Sequence, residues 1–380
     1  MVSQTTHKLS YLLIFAVLIF TLSAFSIQEA HAVTFTAAQN GDWNTGATWV
    51  GGVVPGNSDN KVIPVGITIT ISTTNVTNSG TITNSGTITI SNTAGTGLTN
   101  SGTITNSGTI TVSNTGGDGI SNTVGAITNN LGGTIIVSSS GIGTGLTNSG
   151  TLNNLGGTIV ILIEGSIDNS NIFSNSGTIT ISNNIGTLYA INNGATFSNS
   201  GTITISNTSG DGIDNSSGTI TNSGTITIQN SGTSTGIYND STFSNPGTIT
   251  VSNTGGSSKG IENVGGGTIN NNFGSTTTNS GVITNLGIIN NECGSTYSGT
   301  ALTGTVNECP SCTPPSSGDW IITSSCQLSS TTNELGNVTV QDLSVLVIPS
   351  GKTLNIDFAN NHLLIKSGSK VLIKSGGKIF

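Results

Sequence analysis

Five acidic side chains in the middle of the chain are best placed, by type and spacing, to do chemistry. They lie beside a recurring Gly-Ile-x-Asn motif: Asp118, Asp211, Asp214, Asp240 and Glu262. Carboxylates act as general acids and bases, and their oxygens are ligands that Ca²⁺ prefers. Asp211 and Asp214 could form a weak Ca²⁺ site, and Lys259 is the only basic side chain nearby. We adopt the simpler interpretation, solvated turn carboxylates, and predict no catalytic residue, no metal and no cofactor.

The composition of the chain agrees with this interpretation. Gly, Thr, Ser and Asn contribute 54, 63, 52 and 46 of the 380 residues, charged residues make up 6%, and arginine is absent. Most nucleic-acid binders need clustered Arg and Lys to neutralise phosphate, so most of that class is excluded. Two Gly-x-Ser-x-Gly matches, at 232–236 and 256–260, do not indicate a serine hydrolase. Such an enzyme needs a histidine base, and His362 is the only histidine beyond residue 31.

Three short motifs recur in phase, with a mean period of about 22 residues. The first, Gly-Thr-Ile-Thr-Ile, is degraded in some repeats and starts at Gly86, Gly108, Gly133, Gly157, Gly177, Gly201, Gly224, Gly247, Gly267 and Gly287. The second is Gly-Ile-x-Asn. The third, Thr-Ile-Thr-Asn, has its apolar position at Ile104, Ile127, Leu152, Phe173, Phe197, Ile220, Phe243 and Ile269. Alternating β-branched residues indicate strands, and the Asn, Ser and Gly between them indicate turns.

Three short strands per repeat predict an all-β fold, a right-handed parallel β-helix (solenoid) with three-strand rungs of about 22 residues. Each strand would pair with its equivalent one turn later, so that identical side chains stack along the axis. The Asn of the second motif should then form a ladder of hydrogen-bonded amides. Its predicted members are Asn100, Asn122, Asn148, Asn169, Asn193, Asn215, Asn239 and Asn263. We assign residues 33–76 to an N-terminal cap and first strands, and 77–292 to the repeat array.

The Asn-Ser-Gly-Thr-Ile-Thr repeats resemble those of secreted β-solenoid surface or adhesin-like proteins of bacteria and archaea. An N-terminal segment adds to the resemblance, with Asp-Trp-Asn at 42–44, Thr-Trp-Val-Gly-Gly at 48–52 and Asp-Asn-Lys-Val-Ile-Pro at 59–64. The resemblance implies an extracellular β-helix. It leaves the ligand open, because such solenoids serve as adhesins, sheaths and carbohydrate-active enzymes.

The first 32 residues are predicted to be a signal peptide. Lys8 precedes an apolar run from Tyr11 to Phe25, and Ala30-His31-Ala32 offers a cleavage site. The run is shorter than the ~20 apolar residues of a membrane span. We therefore expect a secreted or cell-surface protein.

All four cysteines lie within 293–326, which we predict to be a junction between two modules. An even number of cysteines in an exported chain favours disulfides. Three connectivities are open, and we favour Cys293–Cys309 with Cys312–Cys326 as local clips. Zinc is disfavoured because a four-cysteine site usually pairs two Cys-x-x-Cys motifs, and this chain has one.

Residues 318–380 are predicted to form a second, shorter β-solenoid module. Gly-Asp-Trp at 41–43 recurs at 318–320, and Val-Ile-Pro at 62–64 recurs at 347–349. Residues 33–351 carry a net charge of −12, whereas five lysines and one acid follow. We predict that this basic patch docks on an acidic cell envelope or an extracellular polysaccharide. Its members are Lys352, Lys366, Lys370, Lys374 and Lys378.

Export, repetition and the lack of a catalytic set predict a non-enzymatic extracellular or cell-surface protein, structural or adhesin-like. One alternative is a polysaccharide-acting β-helix enzyme, lyase or hydrolase, that uses Asp211, Asp214 or Glu262. The other is a polymerising surface-filament subunit that self-associates through open strand edges. Tyr189 and Tyr238 could stack on sugar rings, but we interpret them as incidental. Candidate glycosylation sequons are Asn75, Asn207, Asn215, Asn239 and Asn337.

Overall fold

The computed structural model shows a parallel β-solenoid followed by smaller sheets, as predicted. It describes residues 32–138, 143–162, 165–182, 189–206, 209–230, 234–253, 259–272, 274–302, 304–333 and 335–380. The predicted signal peptide, apart from Ala32, and the sequon Asn207 lie outside these ranges. Within them, every regular element is a strand except a 3-10 turn at Gly46–Thr48, and no helix is long and apolar enough to cross a bilayer.

Three parallel sheets form the walls of the solenoid, and successive strands of the chain join them in rotation. The thirteen-strand sheet contains Thr34–Thr36, Asn60–Ile63, Thr81–Asn84, Thr103–Asn106, Ala126–Asn130, Thr151–Leu155, Ile172–Asn175, Thr196–Asn199, Thr219–Asn222, Thr242–Asn245, Thr268–Asn271, Ile288–Asn291 and Thr305–Asn307. The twelve-strand sheet contains Gly41–Asp42, Thr68–Ser72, Thr87–Ser91, Thr109–Ser113, Thr134–Ser138, Thr158–Leu162, Thr178–Ser182, Thr202–Ser206, Thr225–Asn230, Thr248–Asn253, Thr276–Asn279 and Thr296–Gly299. The ten-strand sheet contains Val76–Asn78, Leu98–Asn100, Ile120–Asn122, Leu146–Asn148, Ile167–Asn169, Tyr189–Asn193, Asp211–Asn215, Ile237–Asn239, Lys259–Asn263 and Val282–Asn285.

Equivalent residues of successive turns are paired in register, which confirms the predicted stacking. Ile88 pairs with Ile110, and Phe173 pairs with Phe197. The alternating pattern buries one side of each strand, so that Ile88 is 3% exposed and Ile104 is fully buried. A continuous apolar core of Ile, Leu, Val and Phe therefore fills the solenoid.

Two glycines that we assigned to the first motif belong to another sheet, so that assignment is wrong. Gly267 and Gly287 precede Thr268–Asn271 and Ile288–Asn291, which are strands of the thirteen-strand sheet. The corresponding strand of the twelve-strand sheet is Thr276–Asn279, in which Thr277 takes the inward place of Ile249. The pattern misleads here because Gly-Thr-Ile occurs before strands of both sheets.

The C-terminal module has three small parallel sheets of its own. They comprise Trp320–Ile322, Val338–Val340 and Leu363–Ile365; Cys326–Gln327, Val345–Ile348 and Lys370–Ile373; and Thr353–Leu354 with Lys378–Ile379. Buried Trp320, Val338 and Leu346 lie in a separate core. The strands of the long solenoid continue past residue 292, the end that we predicted for the repeat array.

Both favoured disulfides are present in the junction between the modules. Cys293 is bonded to Cys309 and Cys312 to Cys326. Cys293 also packs with Val345 and Val347 of the C-terminal module. Stable disulfides indicate a non-cytoplasmic setting.

Candidate functional site

A ladder of buried asparagine amides holds the turns of the solenoid in register, as predicted. Each Nδ2 donates to the Oδ1 of the next turn at 2.8–2.9 Å. The ladder contains all eight predicted asparagines and extends by one at each end, to Asn78 and Asn285. The same amides also donate to backbone carbonyls of the turns, as Asn169 does to Asn171. Each rung is thereby fixed to the next from inside.

A second ladder, which sequence reasoning missed, lies in the thirteen-strand sheet. Its amide links are 2.7–2.9 Å long except between Asn245 and Asn271, where the distance is 3.5 Å. At that link the Thr277 hydroxyl accepts from Asn245 and donates to Asn271. The members are Asn84, Asn106, Asn129, Asn154, Asn175, Asn199, Asn222, Asn245, Asn271 and Asn291. The final Asn of each Thr-Ile-Thr-Asn motif was the signal that could have revealed it.

The ladders have a direction, and a charged residue lies at one end of each. All Nδ2 groups point toward the C-terminal end, so the first amide of each ladder presents its oxygen. The buried Lys61 donates to Oδ1 of Asn78 at 3.2 Å and to the carbonyl of Asn57. Burial lowers the pKa of Lys61 to about 8. At the other end, Glu308 accepts from Nδ2 of Asn291 at 2.9 Å. A cation at the oxygen end and an anion at the N–H end complement the aligned amide dipoles.

Acidic and aromatic residues share one outer face in the second half of the ten-strand sheet. The outward position of five successive strands is filled by Asp168, Asn192, Asp214, Tyr238 and Glu262, which pair directly in register. Tyr189 and Asp211 form a parallel pair beside them. We call these seven residues the acidic–aromatic row. At about 4.8 Å per strand the five successive positions span roughly 19 Å.

Some of these acids have local hydrogen-bond partners that explain their positions. Asp211 accepts from the backbone N–H of Thr235 at 2.8 Å. Asp118, which occupies the same place in an earlier turn, accepts from Thr144 N–H at 2.9 Å in the same way. Asp118 and Asp211 thus each accept a backbone N–H from the following turn of the solenoid.

The remaining acids of the row differ in their hydrogen-bond and ion-pair partners. Asp168 accepts from Asn192 at 2.9 Å, and Glu262 forms an ion pair with Lys259. One buried oxygen of Asp214, Oδ1, has no hydrogen-bond partner. The Asp214 carboxylate also accepts from the hydroxyl and the backbone N–H of Ser216, and its Oδ1 is enclosed by the protein.

Three of the four acids of the row are harder to ionise than in water. Burial raises the pKa of Asp168, Asp211 and Asp214 above the ordinary value. The charges of Asp214 and Glu262 raise the pKa of Asp211 further. Burial and nearby carboxylates also raise the pKa of the Tyr189 and Tyr238 hydroxyls. Both phenols therefore stay neutral and able to donate hydrogen bonds.

The weak Ca²⁺ candidates are not part of a larger ligand set in the part of the chain that the structure describes. There, no group of three or more His, Cys, Asp and Glu side chains is arranged to hold a metal ion. Asp211 and Asp214 lie in one strand, but the neighbouring outward residues are Asn192 and Tyr238. The site is better described as a row of hydrogen-bonding groups.

The lysines of the C-terminal module are partly engaged within the chain. Lys374 donates to the carbonyl of Ser295 at 3.2 Å and so joins the module to the long solenoid. Lys366 donates to Gln341 at 2.6 Å, and Lys378 lies 5.6 Å from the ring centre of Phe380. The predicted docking patch therefore also has structural contacts.

Among the sequons, Asn215 and Asn239 lie inside the first ladder and are fully buried. Their Nδ2 atoms donate to the next turn. A glycan on either would require the rung to open. Asn75 is exposed, and Asn337 is half-buried with its amide bonded to Asp319.

Comparison with known proteins adds no family to this description. No protein-family model matches the chain, and no curated protein matches it significantly.

Asp214→Asn is expected to stabilise the fold at neutral pH. Because the pKa of Asp214 is raised on folding, the folded state disfavours its carboxylate, and stability falls as the pH rises through that pKa. A neutral amide removes this loss, so the variant should melt at a higher temperature than the wild type at neutral pH. The difference should shrink as the pH is lowered through the raised pKa, as followed by circular dichroism. Asp240→Asn, a change at an exposed acid, should give no such gain, and an equal gain would contradict the assignment.

Proposed function

We propose that the chain is a non-enzymatic extracellular or cell-surface protein, structural and adhesin-like, that binds a polysaccharide through the acidic–aromatic row. The register of the ten-strand sheet supports this, because it brings the row together on consecutive turns. Earlier turns carry Thr77, Thr99, Ser121 and Thr147 at the same outward position. The change from small hydroxyl residues to acids and tyrosines is local, and the regular repeat does not require it.

The chemistry of the row matches sugars. Carboxylate and amide oxygens accept hydrogen bonds from sugar hydroxyls, and tyrosine rings offer apolar faces with a polar tip. The row combines four carboxylates with the neighbouring Lys259. This negative surface repels acidic polysaccharides, so the preferred ligand is neutral or cationic.

Replacing both tyrosines of the row by alanine is expected to weaken polysaccharide binding by about tenfold or more, as loss of a central aromatic contact does. The experiment measures retention of the exported protein on a panel of immobilised neutral, cationic and acidic polysaccharides. Thr99→Ala with Ser121→Ala, at the same outward position of earlier strands, is the matched control and should bind like the wild type. Equal binding by the tyrosine variant would contradict the proposal.

A polysaccharide hydrolase or lyase is the second candidate, and the raised pKa of Asp211 and Asp214 favours it. A carboxyl that stays protonated closer to neutral pH can serve as a general acid. The enzyme would release new chain ends from the polysaccharide that it binds. Assaying the same panel for new reducing or unsaturated ends separates the two candidates, since a binding protein leaves the polymer intact.

The extracellular setting has its own test. Cells fractionated into cytoplasm, envelope and medium should hold the protein in the last two, with all four cysteines oxidised. Cytoplasmic protein with free thiols would contradict the proposal.

A further inference from the structure

The outer face of the twelve-strand sheet is a regular lattice of threonines, which we call the threonine face. Its first outward position is threonine in eleven successive strands, all paired in register. The eleven are Thr68, Thr87, Thr109, Thr134, Thr158, Thr178, Thr202, Thr225, Thr248, Thr276 and Thr296. The second outward position is Thr in eight of these strands and Ile136, Val160 and Ser298 in the others.

The spacing of this lattice is fixed by the fold. Neighbouring strands lie about 4.8 Å apart and alternate residues of a strand about 6.7 Å apart, so the rows extend over roughly 48 Å. The pairing of this sheet shows no register shift between Thr68 and Gly299. Beneath it, inward residues such as Ile203 and Ile226 are fully buried. The hydroxyl and methyl groups are thus held in place before any partner arrives.

The threonine face has hydrogen-bonding capacity that the chain itself does not use. Among the described residues, the outward threonine hydroxyls between Thr87 and Thr250 have no hydrogen-bond partner within the protein. From Thr68 to Thr278 the outward positions of this sheet carry no charged side chain. The face therefore presents uncharged donors and acceptors together with methyl groups, in strict repetition.

The uncharged, hydrogen-bonding character of the threonine face limits the kinds of partner that can bind to it. An apolar partner, or a second copy packed dry against the face, would strip water from many hydroxyls without replacing their hydrogen bonds, which is costly. A charged partner would find no counter-charge here. The occupant must therefore replace the hydrogen bonds of the hydroxyls and carry no net charge. A hydrated periodic solid does both, because each of its surface groups can donate and accept at a repeating distance.

We propose that the threonine face binds ice. The surface waters of an ice lattice donate and accept, carry no net charge, and repeat at spacings near those of the threonine rows. The methyl groups of Thr, Ile136 and Val160 order the water between the hydroxyls, because apolar groups favour cage-like hydration. This inference concerns a different sheet from the acidic–aromatic row and does not depend on polysaccharide binding.

The test measures inhibition of ice recrystallisation by the disulfide-bonded protein and its uptake into slowly growing ice. Thr204→Tyr with Thr227→Tyr places two large side chains in the middle of the face. It should reduce both effects by about tenfold or more, as expected for a change at the centre of an interface. Ser198→Tyr with Thr221→Tyr places the same residues on the thirteen-strand sheet in the same two turns, and should behave like the wild type.

Circular dichroism checks that each variant is folded, and Thr204→Lys with Thr227→Lys replaces the tyrosine pair if that pair does not fold. The proposal is overturned if the wild type neither inhibits ice recrystallisation nor enters growing ice. It is also overturned if the face variant and the control show these effects equally. A third outcome would also overturn it: the wild type has no effect on ice but sediments with crystalline cellulose or chitin, and Thr204→Tyr with Thr227→Tyr abolishes that sedimentation. The face would then be assigned to a crystalline polysaccharide.

Discussion

Replacing Asn169 by alanine is expected to lower the free energy of unfolding by about 3–5 kcal/mol, because several buried polar groups lose their partners at once. The Asn169 amide donates to Oδ1 of Asn193 at 2.8 Å and to the carbonyl of Thr196 at 3.0 Å, and it accepts from Asn148 at 2.9 Å. All three asparagines are fully buried, so water does not replace the lost bonds without opening the rung. Urea-induced unfolding followed by circular dichroism measures the change.

Asn171 provides the matched control. It is exposed two residues away, and its amide donates only to the carbonyl of Ser149, at 3.1 Å. Asn171→Ala should therefore cost less than about 0.5 kcal/mol, as typical surface substitutions do. If Asn169→Ala cost as little as Asn171→Ala, the ladder would set the register of the turns without contributing to stability.

The repeat pattern alone was sufficient to predict the solenoid and the first ladder. A period-two alternation of Ile with Thr can only bury one face, and three such strands in a repeat of about 22 residues require a coil. The prediction failed where the residue types changed. In the last turns Thr277 replaces Ile, the first motif disappears, and the search followed Gly267 into the neighbouring sheet.

The repeat phase places Asp214, Tyr238 and Glu262 at one position of the cycle, but from the sequence alone we did not extend this row to Asp168 and Asn192. Asp168, Asp214 and Glu262 are more than twenty positions apart along the chain, and their proximity depends on the pairing of each turn with the next. The second ladder was missed for a different reason. The Asn of Thr-Ile-Thr-Asn resembled a turn residue, whereas the strand continues through it and turns its side chain inward, as at Asn199.

The two ladders also explain why a chain with so few charges buries a lysine. Aligned amides leave an unsatisfied oxygen at one end, and Lys61 donates to that oxygen at Asn78. The corresponding oxygen in the second ladder, Oδ1 of Asn84, is buried without a partner. The same repetition that satisfies each interior amide therefore creates a polar end, and the N-terminal turns satisfy one of the two.

Phe197→Ala is expected to cost about 3–5 kcal/mol, through lost burial and the cavity that remains. The Phe197 ring stacks on Phe173, with centroids 4.7 Å apart and planes 15° from parallel, and it is 1% exposed. Each turn of a solenoid contacts only its neighbours, so the cavity should weaken the turns around it more than distant ones. Hydrogen exchange should accordingly speed up most at Phe173 and Ile220, the paired neighbours of Phe197, and least near Ile88. Phe197→Leu, which keeps most of the volume, should cost less than about 1.5 kcal/mol. Uniform acceleration of exchange along the whole solenoid would instead show that the array opens as one cooperative unit.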